Sequence, residues 1–116
     1  MASPKKENYN SDDIQLAEFA RAMSHPARIL ILRRLSEIES CYFNKISDEI
    51  PLADSTVSQH LAELKKAGLI QGNIEPPRIK YCINISNWER TCELFSNFLS
   101  IRIKKYKKML PGNEAK

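Results

Sequence analysis

A chain of 116 residues has material for one domain with a single core and not for two independent ones. Eighteen basic and fourteen acidic residues leave a net charge of +4 and a pI near 9.0, which suits a polyanionic partner if the positive charge is gathered on one face. No stretch approaches the roughly 18 continuous apolar residues of a membrane span. The opening MASPKKENYN carries no apolar secretory core, so the expectation is a cytoplasmic protein with no membrane partner.

The polar ends, residues 1–11 and 111–116, have little to bury and are expected to be mobile tails around a single domain over residues 12–110. Asp12 or Asp13 can cap a first helix in which Ile14, Leu16, Phe19, Ala20 and Met23 recur at helical spacing. That helix should end near Ser24. Pro26 then occupies the start of a second helix, where its missing N–H is no loss, and Ile29, Leu30, Leu32 and Leu35 carry the apolar pattern through PARILILRRLSEI. Phe43, Ile46 and Ile50 predict a short third helix stopped by Pro51, and Asp54 is placed to cap a fourth only a few residues later. Two helices joined by so tight a turn predict a helix-turn-helix.

Gly68 ends the fourth helix, and in the following stretch Ile79, Tyr81 and Ile83 alternate with Arg78, Lys80 and Cys82, the period of a half-buried strand in a hairpin. The tip, EPP, cannot donate from Pro76 or Pro77, so a stiff and longer loop is expected in place of a two-residue turn. A long last helix is expected from Trp88 to Leu110, with Trp88, Cys92, Phe95, Leu99 and Tyr106 down one stripe and Leu94, Phe98 and Ile101 widening it. One small core cannot cover that much apolar helix. The predicted fold is mainly α with a small β-hairpin wing, a winged helix-turn-helix of about five helices.

Residues 53–64, ADSTVSQHLAEL, pose the functional question. Val57, Leu61 and Leu64 form a narrow apolar stripe, while the opposite face carries Ser55, Gln59 and Ala62 where solvated helices usually carry Glu and Lys. In a helix-turn-helix the first turns of the second helix enter the major groove, which puts Ser55, Thr56, Ser58 and Gln59 within reach of base edges or phosphates. Gln59 is the specificity candidate, since its amide can pair bidentately with adenine, whereas serine hydroxyls suit register. The alternative is a solvated surface glutamine. His60 lies about 60° from the centre of the stripe, and both a phosphate or groove contact and a histidine packed at the core margin fit that position. Arg78 and Lys80 share the outward face of the wing strand, where cations can lie along flanking phosphates. The C-terminal cluster Arg102, Lys104, Lys105, Lys107 and Lys108 reads as a complement to the helix dipole and an aid to solubility.

MSHPARILIL, then STVSQHLAELKKAGLI, then the wing RIKYCI resemble the ArsR/SmtB family of bacterial winged-helix repressors over roughly residues 15 to 106. The resemblance implies a homodimer joined by its first and last helices, through Ile14, Phe19, Trp88, Cys92, Phe95, Leu99 and Tyr106, that binds a palindromic double-stranded operator and releases it to an inducer. Family wings often carry Gly-Arg at the tip; Pro76-Pro77 here departs from that pattern and weakens the expectation of deep minor-groove insertion. The family's arsenic-type site needs a C-x-C at the start of the third helix, where SCYFNKI has Tyr42 and Asn44. Its zinc-type site needs His, Asp and Glu on the last helix, which contains no His. No zinc and no cofactor are therefore expected.

Cys41, Cys82 and Cys92 are odd in number, with no C-x-C or C-x-x-C pair, so free thiols are expected in a reducing compartment. They remain weak candidates for a thiophilic ion or a redox signal, with Cys92 expected to behave as a small hydrophobe on the apolar stripe. Two separated histidines and three separated cysteines offer no nucleophile with an oriented base, and there is no glycine-rich phosphate loop, so an enzyme is not expected. The competing expectation is a winged-helix protein-interaction module that does not bind DNA. The polar first turns of the fourth helix argue against it, because interface hot spots favour Trp, Tyr and Arg.

Overall fold

The computed structural model describes residues 8–38, 41, 50, 52–75 and 79–103. In chain order the elements are α1 (Ser11–Ala22), α2 (Pro26–Ser36), α3 (Asp54–Lys66), β1 (Ile70–Asn73), β2 (Lys80–Ile83) and α4 (Ile85–Leu99). The expected short helix at Phe43 and Ile46, the wing tip with Arg78, and Tyr106 lie outside the described residues, as do most of both expected tails.

The starts of α1 and α3 differ from expectation by one to three residues, and that of α2 does not. Asn10 caps α1, its Oδ1 accepting from the Asp12 N–H at 2.8 Å, while Asp12 and Asp13 lie in the first turn, where the helix dipole favours anions. The helix therefore begins inside the stretch expected to be tail. His25 caps α2 through Nδ1, which accepts from the Ala27 N–H at 3.0 Å, and Pro26 sits in the first turn as expected. For α3 the cap is Ala53 with no side-chain hydrogen bond, and Asp54 is instead the first helical residue.

Gly68 ends α3 as expected, with φ of 86° in the left-handed region. The Leu69 N–H donates to the Leu64 carbonyl at 3.0 Å and the Gly68 N–H to Lys65 at 2.9 Å, the paired closure of a Schellman motif. The chain is thereby turned straight into β1. β1 and β2 pair antiparallel, with Gln71 opposite Cys82, Gly72 opposite Tyr81 and Asn73 opposite Lys80. At the end of β1 the Asn73 side chain both accepts from the Glu75 N–H and donates to the Glu75 carbonyl, at 3.2 and 3.0 Å, opening the loop.

α4 starts three residues before Trp88, capped by Asn84 accepting from the Asn87 N–H at 3.1 Å, and stops at Leu99 instead of Leu110. The physical reason is packing. Thr91 and Leu94 are buried, whereas Ile101 and Ile103 beyond the helix are exposed and pack on none of the described residues' core.

The core gathers Phe19 and Ala22 of α1, Ile31, Leu32 and Leu35 of α2, Val57, Leu61 and Leu64 of α3, Leu69, Ile70, Tyr81 and Leu94, with Ile50 closing it from the segment before α3. Within α1 and α2 the buried positions are Ala22 and Ile31 where the periodicity suggested Ala20 and Leu30, both of which are exposed.

Candidate nucleic-acid interface

The candidate face begins with the amphipathicity of α3. Val57, Leu61 and Leu64 anchor one side in the core, so the helix cannot rotate without exposing them. That orientation leaves Ser55, Ser58, Gln59 and Ala62 exposed and Thr56 half-buried. Lys80 is exposed on β2, and Lys65 and Lys66 are exposed at the end of α3.

His60 takes the packed position. It is 8% exposed, its Nδ1 accepts from Arg28 Nε at 3.1 Å, and its ring lies 4.4 Å from that of His25. Because a guanidinium only donates, Nδ1 must carry a lone pair and the ring proton sits on Nε2, which is buried without a hydrogen-bond partner among the described residues. Burial first, then the His25 and Arg28 charges, push its pKa below the ordinary 6.5. A buried, neutral ring cannot contact a phosphate, so His60 leaves the DNA-contact set and becomes a strut behind it. Arg28, which sequence reasoning passed over, makes the other half of that strut and also donates to the Ala22 carbonyl at 3.2 Å. No local signal marks it, because its partner is 32 residues away.

A second strut joins α3 to α4. Asn87 Nδ2 donates to the Gly68 carbonyl at 2.8 Å, and Thr91 Oγ1 donates to the Asn87 carbonyl at 2.7 Å. α1 and α4 are joined by Arg90, which donates to Gln15 Oε1 at 2.9 Å and pairs with Asp12 at 2.5 Å and with Glu93.

Of the residues expected at a dimer surface, Phe19 is buried in the chain's own core and is removed from that set. Ile14 is half-buried, and Trp88 and Phe95 are half-buried and pack on the core. Leu99 is 73% exposed, and Phe98, Ile101 and Ile103 extend its apolar strip. Cys92 is exposed on α4, contrary to its expected burial in the apolar stripe, since Thr91 and Leu94 take the inward positions around it.

Cys41 and Cys82 are joined through their sulfur atoms, with Cα atoms 4.4 Å apart, which overturns the expectation of three free thiols. Their separation of 41 residues hides the pairing from any spacing rule. Among the described residues no group of three or more His, Cys, Asp or Glu side chains can hold a metal ion, and no helix is long and apolar enough to cross a membrane.

A helix with its polar first turns outward, followed at once by an antiparallel hairpin, matches the recognition helix and wing of a winged helix-turn-helix DNA-binding domain. Residues 25–71 match the family model described as "Bacterial regulatory protein, arsR family". The chain is 39% identical over 69 residues to the HTH-type transcriptional regulator YgaV of Escherichia coli K12, covering 60% of this chain and 70% of that one. It is 41% identical over 59 residues to the uncharacterized HTH-type transcriptional regulator MJ1325 of Methanocaldococcus jannaschii, covering 51% of this chain and 66% of the relative.

Two solved structures share the fold. An ArsR-like transcriptional regulator from Rhodococcus sp. RHA1 superposes with a TM-score of 0.63 at 19% identity, over 86% of this chain and 96% of that one. The crystal structure of M. tuberculosis Rv0081 gives a TM-score of 0.53 at 26% identity, over 79% and 96%. The chain belongs to the arsR family of bacterial regulatory proteins, which are transcriptional regulators and not enzymes.

Proposed function

We propose that this DNA-binding regulator is a homodimeric cytoplasmic repressor that grips a palindromic operator through two copies of α3 and is released by an inducer. The observation that carries the reading is the outward set of Ser55, Ser58 and Gln59 on a helix locked by its own buried stripe. Short hydroxyls and an amide at the start of such a helix suit base edges and phosphates, and the exposed Lys80 on the neighbouring strand adds a cation for the flanking backbone. Arg78 is proposed beside it on the wing. Dimerisation is supported by the exposed strip of Phe98, Leu99, Ile101 and Ile103, since contiguous apolar surface on a small domain marks a partner site.

The test is a titration of a duplex selected by the protein from a randomised pool, repeated at several salt concentrations. Each neutralised phosphate should contribute about −0.9 to the slope of log affinity against log salt. A flat salt response, or equal affinity for random duplex, would exclude the reading in favour of a protein-interaction module.

A further inference from the structure

We propose that the cleft between the end of α2, the wing and the start of α4 is a binding site for a small neutral aromatic molecule of the phenol class, and that this molecule is the inducer. The inducer role rests on the operator-binding reading above; the site itself does not. The cleft has a volume of about 500 Å³, within the roughly 300–1,000 Å³ usual for small-molecule sites. Leu35 and Ile38 wall it from α2 and the residues after it, Ile83 from β2, and Ile85 and Trp88 from α4.

The lining decides what the cleft takes. None of its lining residues is Lys, Arg, His, Asp or Glu. A charged guest would lose its hydration there with no counter-charge to replace it, so the guest is neutral. Trp88 is half-buried: part of it packs on the core and part borders the cleft, where an indole suits another aromatic ring. Ile85 is 70% exposed at the first position of α4, a large apolar side chain that an aromatic guest would cover.

One amide orients the guest. Gln71 on β1 stands opposite Cys82 in the hairpin, and its Nε2 lies 3.9 Å from Cys82 Sγ, which places the amide at the cleft wall. Its Oε1 has no hydrogen-bond partner among the described residues and can accept from a hydroxyl. The Ser36 hydroxyl, also on the wall, already donates to the Arg33 carbonyl at 2.7 Å. A phenol supplies both a ring for Trp88 and a donor for Gln71. Cys82 and Ile83 belong to the strand that carries Lys80, while the facing walls belong to α2 and α4. A guest between them moves the wing strand away from those helices, and Lys80 with it, so occupancy should weaken the grip on a duplex.

The experiment titrates the isotope-labelled full chain with phenol and follows its amide NMR spectrum, in which the single tryptophan gives one indole N–H peak. Expected are saturable shifts of the Trp88 indole and of the Cys82 and Ile83 amides with a Kd below about 1 mM, and no such response to benzoate, a charged ring of similar size. Saturating phenol should raise the Kd for the selected duplex about fivefold or more. Ile85→Glu puts a charge at the cleft in a helix first turn, where anions are tolerated, so it should fold as the wild type and bind phenol about tenfold or more weakly. Leu99→Glu, on the exposed apolar strip, should bind phenol as the wild type does. The site is overturned by the absence of saturable shifts, by an equal response to benzoate, or by phenol binding that survives Ile85→Glu. Loss of the dimer in Ile85→Glu overturns it too, because the cleft then belongs to a second copy. Phenol that binds without raising the duplex Kd overturns the inducer role. If no duplex is selected at all, the operator reading fails, and the amide shifts alone decide the site.

Discussion

Arg28 Nε donates to His60 Nδ1 at 3.1 Å, so the first turn of α2 holds the middle of α3 on its buried side, behind the exposed Ser55, Ser58 and Gln59. The bond exists only while His60 is neutral, because protonation places a hydrogen on the atom that accepts it. Burial has already moved the His60 pKa below 6.5, so the unfolded chain takes up this proton at a higher pH than the folded one. Folding stability from this group is therefore complete above the unfolded value and is lost as pH falls through the lowered native value. Thermal melts should show the highest Tm above about pH 7 and a decline below about pH 6. His60→Asn keeps an acceptor near the Nδ1 position and does not titrate, so its decline should be shallower; identical slopes in the two proteins would refute the assignment.

Gly72 should tolerate no side chain. Its φ is 113°, and a Cβ there would lie 2.1 Å from the Lys80 carbonyl oxygen on the paired strand, where backbone cannot yield. Gly72→Ala should cost more than the roughly 1–3 kcal/mol of a disallowed backbone conformation alone, lowering Tm by well over 5 °C on the usual scale of about 4–8 °C per kcal/mol. Gly68→Ala should be milder, about 1–2 kcal/mol for left-handed backbone, because the atom its Cβ meets is the end of the Asn87 side chain. Equal Tm for both variants would contradict the cross-strand geometry.

Gln59→Ala and Lys80→Ala should separate base contact from backbone contact. Loss of the Gln59 amide is expected to cost about 1–3 kcal/mol on the selected duplex and to relax preference at one base pair, with the salt slope intact. Loss of Lys80 should weaken all duplexes alike and reduce the salt slope by about 0.9. Both follow from competition titrations with single-base operator variants at two salt concentrations, and a Gln59 variant with unaltered preference would remove it as the specificity residue.

Leu99→Glu tests the dimer. The side chain is 73% exposed in the single chain, so the substitution should leave Tm of the protomer close to that of the wild type while shifting the sedimentation profile from dimer to monomer. Operator affinity should fall with it, because two half-sites are then bound independently. A wild-type chain that sediments as a monomer at tens of micromolar, or a dimer that survives the substitution, would move the interface elsewhere.

What was legible in the sequence was local. The spacing of Val57, Leu61 and Leu64 marked both the buried and the outward face of α3, and Pro26 and Gly68 marked a start and a stop, because helix periodicity and special φ values act within a few residues. Two caps were less legible: Asn10 caps α1 where Asp12 or Asp13 was expected, and Ala53 precedes α3 where Asp54 was expected, because the choice among neighbouring polar residues depends on where tertiary packing begins each helix. The end of the last helix differs for the same reason, since Ile101 and Ile103 match helical spacing yet are exposed and outside the core of the described residues.

By itself, then, the sequence determined the class of fold, the family and the outward polar face at the start of α3, all of which are written in patterns shorter than a helix. Only the tertiary structure decided that His60 turns inward to Arg28, that Phe19 serves the core and not a partner, and that Cys41 meets Cys82. Each of these depends on which distant surfaces the buried stripes bring together, and a one-dimensional pattern carries the stripes but not their meeting.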